Sequence, residues 1–475
     1  MYLAVIHHSK PLSRTLVVAL AAWLLAGCSS FSRDGGFDAV QSGTRDKLGK
    51  DVRWAKTAQD QDAIGEQVRA LLQKPLSVDD AVQVALLNNR ALQAEFYELG
   101  ISEADLVQAG RLPNPRFAML YTRNNGDYKI EQSFTFNVFS LLTMPRAVEI
   151  EKRRFAETQK QVSLEVMRLA SETRKAYFTA VAADEAVRYM QQVSTAAEAS
   201  AQLAGKMAQA GNFSQLDRAR EQGFYADAAL GQARALQART IAHERLNRLL
   251  GVWGDDIRYQ LPERLPDLPK SPDELPDIEK TAMAQRLDLQ AMKTRTDALS
   301  RQLGLTKVTR FIDVLELGPA RVLEGRRSEP YKKGFEIAFE VPLFDWGSSR
   351  VARAEAIYMQ SVNELAATAI DARSEVRESY FRYRSNYDIA KHYRDEIVPI
   401  RKRILDENQL RYNGMLVSVF DLLSEARAQV ASVNHYIESL RDFWLAQSDM
   451  EMSLIGKPRF ADIDTAGMRE ASAGR

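Results

Sequence analysis

The residue types that most often carry enzyme chemistry are sparse and isolated in this sequence. Beyond the N-terminal region the histidines are His243, His392 and His435, each alone in a helical pattern without the spacing of a metal site. The sequence contains neither a glycine-rich phosphate loop nor a nucleophile motif. The 13 methionines are scattered and give no argument for metal handling. The sequence therefore predicts no enzyme, no metal site and no cofactor other than a covalent lipid.

That lipid is predicted at Cys28, the only cysteine, which can form no disulfide within the chain. A basic stretch and an apolar run from Thr15 to Leu25 precede it, a pattern typical of a secretory signal and too short to span a bilayer. Leu25-Ala26-Gly27-Cys28 resembles a bacterial lipobox, in which residues 1–27 are removed and the cysteine is lipidated, for example with palmitate. A plain signal with a chance cysteine is the alternative. Ser29 follows instead of an aspartate, which by resemblance to lipoprotein sorting favours the outer membrane of a Gram-negative bacterium.

The overall charge is balanced, with 64 Lys plus Arg against 63 Asp plus Glu. A nucleic-acid-binding protein would favour a basic surface, so the composition gives no indication of such a partner. Apolar content of 45% with 27% charged residues excludes both a disordered chain and a helical membrane protein.

The strongest pattern along the chain is an internal repeat. Ser171-Glu172-Thr173-Arg174-Lys175-Ala176-Tyr177-Phe178 returns 203 positions later as Ser374-Glu375-Val376-Arg377-Glu378-Ser379-Tyr380-Phe381, and the same offset carries Gly211 onto Gly414. Each copy lies in a stretch of roughly 60 residues without a convincing helix breaker, longer than an ordinary globular helix. The sequence therefore predicts one unit made twice, each built on a long coiled-coil helix.

Six segments follow from this repeat. They are a signal peptide (1–27), an N-terminal tether (28–76), a first repeat (77–252), a proline-rich linker (253–276), a second repeat (277–456) and a tail (457–475). Each repeat is predicted to contain a helix, a strand pair, a long helix and a return helix. The fold class is thus mainly α with a small β part.

The helices of each repeat are predicted from caps and breakers. Ser77 caps a helix to about Gly110, a long helix runs over 146–209 from Pro145, and Ser214 caps a return helix that ends near Gly251. The second repeat should be helical over 277–305, over 350–411 with a kink at Pro399, and in a return helix to about Ile455. A shorter helical pattern lies near residues 62–72.

The strands are predicted over 117–122, 128–139, 310–317 and 333–343, the last two separated by a charged tip around Arg326 and Pro330. Apolar and polar side chains alternate in the second strand and in the fourth, which suits a transmembrane β-strand with one lipid face and one lumen face. An amphipathic strand on a soluble core is the alternative. One chain supplies four strands, which cannot close a barrel in lipid, whereas three chains supply 12. We therefore predict a homotrimer.

The order of these elements resembles the outer membrane factors, the TolC-like exit ducts of tripartite efflux pumps and type I secretion systems. The residues that carry the resemblance are 81–92 with Ala94, Ala109-Gly110-Arg111-Leu112-Pro113-Asn114-Pro115, 211–217, Pro342-Leu343-Phe344-Asp345-Trp346-Gly347 and 414–421. The resemblance implies a trimer with a 12-stranded barrel, a periplasmic helical tunnel and a closed tip that opens when a periplasmic adaptor and an inner membrane pump dock.

The function implied is a passive, gated exit duct for small toxic compounds. A duct for protein secretion and a non-conducting structural coiled-coil lipoprotein are the alternatives.

The resemblance also assigns candidate site residues at the two glycine turns. Gly211, Asn212, Gly414 and Met415 would dock a partner. Asp421 matches the first acid of a constriction ring, Ser424 falls where a second acid stands, and Tyr412 with Asp217 matches a tyrosine–acid lock. A ring of carboxylates in a narrow lumen favours cations.

Two departures weaken the polar lock. The arginine expected after Gly414 is absent, and one extra residue separates Gly414 from Asp421 relative to Gly211 and Asp217. Leu416, Val419 or Phe420 could then close the pore by apolar contact. The simpler reading makes Asp217 and Asp421 first-turn helix acids and Tyr412 a packing aromatic.

Overall fold

The computed structural model describes residues 30–311 and 314–460. Cys28, with its signal-like segment, and the tail beyond residue 460 lie outside the described residues, as do the side chains of Val419 and Phe420.

The helices and strands follow the predicted order in both halves. The first half contains α1 (Phe37–Leu48), α2 (Ala58–Leu72), α3 (Val78–Asn88), α4 (Arg90–Ala109), β1 (Arg116–Asn124), β2 (Asp127–Asn137), α5 (Val138–Gln209) and α6 (Gln215–Leu250). A short 3-10 turn, Gly254–Ile257, follows. The second half contains α7 (Ile278–Gln285), α8 (Leu287–Thr309), β3 (Leu315–Gly325), β4 (Lys332–Phe339), α9 (Ser348–His392), a π-helical segment (Tyr393–Ile397), α10 (Val398–Asn413) and α11 (Val419–Ser453). The mainly helical fold class is therefore confirmed.

Several predicted boundaries are wrong, and local chemistry explains them. The Asn137 side chain accepts a hydrogen bond from the Ser140 amide (2.9 Å), so α5 begins directly after β2 and Pro145 lies inside the helix instead of starting it. α8 continues to Thr309, and β3 begins at Leu315 rather than at Arg310. Residues 312 and 313 of that predicted strand lie outside the described part.

The chain divides into two compact units. The sheet unit consists of Glu98–Gln159 and Ala291–Ala366 together with the described residues up to Phe37. The helical unit consists of Asp38–Tyr97, Lys160–Gln290 and the described residues from Ala367 onward.

The core of the helical unit is aromatic. The Tyr383 ring stacks on Phe443 (centroids 5.5 Å apart), and Phe178 stacks on Trp444 (5.2 Å). Val376, Tyr383, Tyr387 and Ala390 are all buried, as the seven-residue register of the second long helix predicts.

The proline-rich linker packs against this core. Tyr387 Oη donates a hydrogen bond to the Lys270 carbonyl (2.8 Å), and Trp444 Nε1 donates one to the Pro266 carbonyl (3.0 Å). Pro266 has no N–H to donate and lies outside the helices and strands, and side chains of the core satisfy the carbonyls of this linker.

Both halves share a helix break that the sequence did not predict. The helices expected over 77–110 and 277–305 are each interrupted at one extended residue, Asn89 or Arg286. Asn89 donates to the Leu249 carbonyl at the end of α6 (2.9 Å), and Arg286 donates to the Ser453 carbonyl at the end of α11 (3.5 Å). Each break thus places a side chain where it satisfies a carbonyl in the last turn of the return helix of its own half.

The sheet of the other unit is antiparallel in the order β1-β2-β3-β4. Register and alternation give it one apolar face, formed by Phe117, Met119, Tyr121, Tyr128, Ile130, Phe134, Phe136, Leu317, Pro319, Leu323, Phe335, Ile337 and Phe339. Most of these large side chains are exposed, Phe335 by 74%. The opposite face carries polar and charged side chains such as Lys129, Glu131 and Thr135.

The ladder between β2 and β3 contains one close approach. Gly318 is buried in β3, and a Cβ built on it would overlap the Phe134 carbonyl oxygen and lie 2.7 Å from the carbonyl carbon. Pro319 follows and has no amide to donate to the ladder. Only glycine fits at position 318 without moving the neighbouring strand.

Among the residues that the structure describes, no helix combines the length and the apolar character that a membrane-crossing helix requires.

Candidate gate and docking turns

The first predicted docking turn joins α5 to α6 through a glycine in the left-handed region. Gly211 has φ +78°, the Asn212 amide donates to the Met207 carbonyl (2.9 Å), and the Gly211 amide donates to Ala208 (3.1 Å). This pair of bonds is a Schellman motif, which satisfies the last carbonyls of a helix. Gly211 and Asn212 are both exposed.

The second turn repeats this geometry with a shifted residue. The Leu416 amide donates to the Arg411 carbonyl (2.8 Å), and the Met415 amide donates to Tyr412 (2.9 Å). Met415, with φ +60°, therefore holds the left-handed position, while Gly414 has an ordinary φ of −85°. Met415 is the structural counterpart of Gly211, which corrects the pairing with Gly414 that the sequence offset suggested.

The shift arises in the π-helical segment of the second long helix. There the Val398 amide bonds to the Tyr393 carbonyl, five residues back instead of four, which accommodates one extra residue. Pro399 follows at once and would clash with the carbonyl of residue 395 in a regular α-helix. The offset between the halves consequently changes from 203 to 204, and Ser214 and Asp217 correspond to Ser418 and Asp421. The extra residue lies in the helix, not in the turn.

We expect glycine to be required at 211 and dispensable at 414. An L-residue in the left-handed region costs about 1–2 kcal/mol, so Gly211→Ala should speed hydrogen exchange of the Asn212 amide roughly 5- to 30-fold. Gly414→Ala should leave exchange of the Leu416 amide unchanged, and Met415→Gly should slow it. Exchange measured by mass spectrometry on the two turn peptides tests this. Faster exchange in Gly414→Ala than in Gly211→Ala would contradict the assignment.

Asp421 lies in a complete capping box at the start of α11. Its carboxylate accepts hydrogen bonds from the Ser418 hydroxyl (2.7 Å) and the Ser418 amide (3.1 Å), and its own amide donates to Ser418 Oγ (3.3 Å). These bonds from Ser418 lower the pKa of Asp421 below its usual range. The carboxylate is therefore ionised at neutral pH, and its capping contribution is lost only as the pH falls through that lowered pKa.

Asp217 occupies the same position in the first half with a different partner. Its amide donates to the capping Ser214 Oγ (3.1 Å), but its carboxylate lies 3.7 Å from the Arg220 guanidinium one turn later. Asp217 is half-buried, and Asp421 is exposed. The two acids are thus first-turn helix residues, as the simpler reading expected, and the carboxylate of Asp421 remains accessible beside its cap.

The sequence reasoning did not assign a contact between helices to a second pair of acids. Glu221 is 2% exposed, and its Oε2 accepts a hydrogen bond from Ser200 on α5 (2.7 Å). Its counterpart Glu425 lies 3.4 Å from Arg401 on α10. Each return helix is therefore tied to its long helix by an acid seven residues after the capping serine, a spacing that could have identified both residues.

The second turn itself carries exposed apolar side chains. Met415 is 94% exposed and Leu416 is 77% exposed, while Tyr412 is 36% exposed and Ser424 is also exposed. Val419 and Phe420 begin α11, but their side chains lie outside the part of the chain that the structure describes. The accessible part of this turn thus combines an apolar tip with the Asp421 carboxylate.

Within the described part of the chain, no cluster of three or more His, Cys, Asp or Glu side chains could hold a metal ion. At the first turn Asp217 pairs with Arg220, and at the second turn Asp421 caps α11. These charged side chains therefore stabilise helix ends and remain available for contacts with a partner.

Comparison with known proteins finds a family similarity in the second half of the chain. Residues 279–449 match the model of the family described as outer membrane efflux protein. A search of curated proteins found no match.

Several solved structures are similar. The Campylobacter jejuni CmeC outer membrane channel has a TM-score of 0.69 at 17% identity, covering 83% of this chain and 89% of its own. The Neisseria gonorrhoeae MtrE outer membrane channel in its open state has 0.65 at 16%, covering 80% and 89%. A membrane protein from Pseudomonas aeruginosa has 0.67 at 18%, covering 79% and 93%. Likeness at these identities establishes a shared fold.

Proposed function

We propose that the chain is the passive exit duct of a tripartite efflux system, moving small toxic compounds across the outer membrane, because residues 279–449 match the outer membrane efflux protein family. The observation that carries the proposal is the four-stranded sheet, which exposes a largely apolar face. Water makes such a face unfavourable on a monomer, whereas lipid does not. The relatives that share the fold are described as channels and membrane proteins, not as enzymes.

The edges of the sheet support assembly into a trimer. β1 and β4 are the outer strands of the described sheet, and open edges cannot persist in a bilayer because their backbone groups have no water to bind. β4 of one copy can pair with β1 of the next and keep the antiparallel alternation, since each copy supplies an even number of strands. Three copies then close a 12-stranded barrel with the apolar face outward.

The two turns that join a long helix to its return helix, here called the hairpin turns, supply the docking and gating elements of this proposal. Exposed Met415 and Leu416 suit burial against a periplasmic adaptor, which would link the duct to an inner membrane pump. Asp421 would contribute one carboxylate per copy to a ring in the lumen. Lipidation of Cys28 would anchor the chain, and the intact mass of the purified protein would reveal both the lipid and the loss of residues 1–27.

Channel recordings in planar bilayers test the function and locate the gate. We expect the natural trimer to conduct weakly, with a preference for potassium over chloride. Asp421→Asn should lower that preference and raise the conductance, since it removes the charge and keeps a capping oxygen. Ser418→Ala is the matched control, because it removes the cap hydroxyl and keeps the carboxylate, so cation preference should persist.

The other outcomes have distinct meanings. Unchanged currents in Asp421→Asn together with larger currents in Leu416→Ser would move the gate to the apolar tip. Absence of conductance in a folded trimer would overturn the duct and favour a structural coiled coil.

A further inference from the structure

The two faces of the sheet differ in how their charges are balanced. On the polar face, acids accompany the bases: Glu131 lies 2.8 Å from Lys129, and Glu324 lies 3.3 Å from Lys332. On the apolar face, the charged residues of the described strands are Arg123, Arg321 and Lys333, and no carboxylate shares that face with them. The apolar face thus carries positive charge without a compensating acid from its own strands.

Two of these cations lie directly opposite each other. Arg321 pairs with Lys333 in the register of β3 and β4, which brings their Cβ atoms within about 4.5–5.5 Å. Like charges at directly opposed positions destabilise a sheet. An anion between them would convert this repulsion into attraction, because Arg and Lys both bind phosphate strongly.

The Arg321 side chain is also held in place. Its Nε donates to Gln132 Oε1 (2.7 Å), and its guanidinium carbon lies 4.9 Å from the Tyr331 ring centroid. Gln132 and Arg321 share the apolar face through the register of β2 and β3. Because the bond to Gln132 uses Nε, the two terminal nitrogens remain able to donate hydrogen bonds to an oxyanion.

The position of this pair matches the edge of a lipid-facing band. On β4 the apolar residues Phe335, Ile337 and Phe339 run from Lys333 toward α9, away from the turn after Gly325. On β1 and β2, apolar residues continue past the level of Arg321, to Tyr121 and Tyr128. A boundary that shifts from strand to strand is what tilted strands in a barrel require.

We propose that Arg321 and Lys333, with Gln132 orienting the arginine, bind the phosphate group of an anionic lipid at the outer surface of the membrane. The inference rests on the proposed barrel. The β-turn ends of the strands lie opposite the ends that enter the helices, so they face outward if the helices are periplasmic. Tyr331 beside Arg321 and Tyr128, whose ring centroid lies 5.3 Å from the guanidinium carbon of Arg123, add the interfacial aromatics typical of such a boundary.

Native mass spectrometry of the detergent-purified full-chain trimer tests the site, with bisphosphorylated lipid A as the probe. At about 1 kcal/mol for each basic residue near an anionic surface, Arg321→Gln with Lys333→Gln should weaken binding roughly 30-fold. The matched control is Lys129→Gln with Lys332→Gln, which removes the same charge from the polar face and should not change binding. Dephosphorylated lipid A should bind the natural trimer as weakly as the probe binds the Arg321/Lys333 variant.

Three results would overturn the proposal. They are equal binding by all variants, equal losses in both double variants, and full displacement of the lipid by inorganic phosphate, which would indicate a site for the free ion. Channel currents recorded from the same preparations distinguish a failure of the lipid site from a failure of the proposed duct. A natural trimer that conducts without phosphate-dependent lipid binding removes only this inference, whereas a folded trimer that does not conduct removes the duct itself.

Discussion

Replacing Arg286 by methionine should lower the free energy of unfolding by about 3–5 kcal/mol, the cost of breaking a buried ion pair from one side. Arg286 is 1% exposed, and its Nη2 lies 2.6 Å from Asp288 and 2.8 Å from Glu375. Both carboxylates are themselves largely buried, with side chains 14% and 13% exposed. Methionine fills a similar volume but leaves two acids without their main cation. Thermal and denaturant unfolding of the purified protein, followed by circular dichroism, measures the loss.

A matched exposed arginine and a charge-neutral triad provide the controls. Arg377→Met removes a cation that is 65% exposed and 3.7 Å from Glu279, so the change should stay within about 1 kcal/mol. Arg286→Met combined with Asp288→Asn and Glu375→Gln should recover most of the lost stability, because no buried charge then lacks a partner. A single Arg286→Met variant as stable as the natural protein would show that water reaches this cluster.

The same arginine shows where sequence reasoning about the fold stops. The caps at Ser77 and Ser214 are local patterns, and the structure confirms both. The breaks at Asn89 and Arg286 contain no proline or glycine. Each side chain bonds the end of a helix roughly 160 residues away in the chain. Asn89 also caps α4 locally by accepting a hydrogen bond from the Leu92 amide (3.0 Å), whereas the long-range bond of Arg286 leaves no local signal.

The third strand was misplaced for a related reason. The predicted strand ended at residue 317, directly before Gly318 and Pro319, two residue types that disfavour the interior of a strand. In the structure Gly318 lets two backbones approach closely, and Pro319 lies where the ladder can forgo a donor, so β3 runs through both. Only the neighbouring strand reveals that these residues are compatible with pairing.

The two turns between the long helices and the return helices were predicted in position but not in register. Both hairpin turns lie where the glycines indicated, yet a constant offset of 203 paired Gly211 with Gly414 instead of Met415. Pro399 was visible in the sequence and predicted a distortion of the helix, but not the π-helical bonding of Val398 to Tyr393 that absorbs one residue. The serine caps, spaced by 204, carried the correct register.

Replacing Gly318 by alanine should destabilise the sheet by about 3 kcal/mol or more, at the upper end of the range for overpacking. The added methyl would overlap the Phe134 carbonyl oxygen and lie 2.7 Å from Thr135 Cα, and no rotamer relieves a clash with backbone. Gly334→Ala is the matched control, since a Cβ there meets nothing within 4 Å.

The consequence of Gly318→Ala for function follows from the shared barrel. If three sheets close one barrel, the penalty acts three times in each trimer, so Gly318→Ala should abolish both trimer recovery and channel currents while Gly334→Ala preserves them. Size-exclusion chromatography with light scattering and bilayer recordings of the two variants measure this. A Gly318→Ala variant that stays trimeric but carries no current would show that the trimer assembles without an intact sheet. The contacts that hold the trimer together would then lie in the helices. A variant that stays trimeric and conducting would contradict the predicted clash. If the clash forced β2 and β3 apart, their strand edges would be exposed to lipid and the barrel could not stay closed.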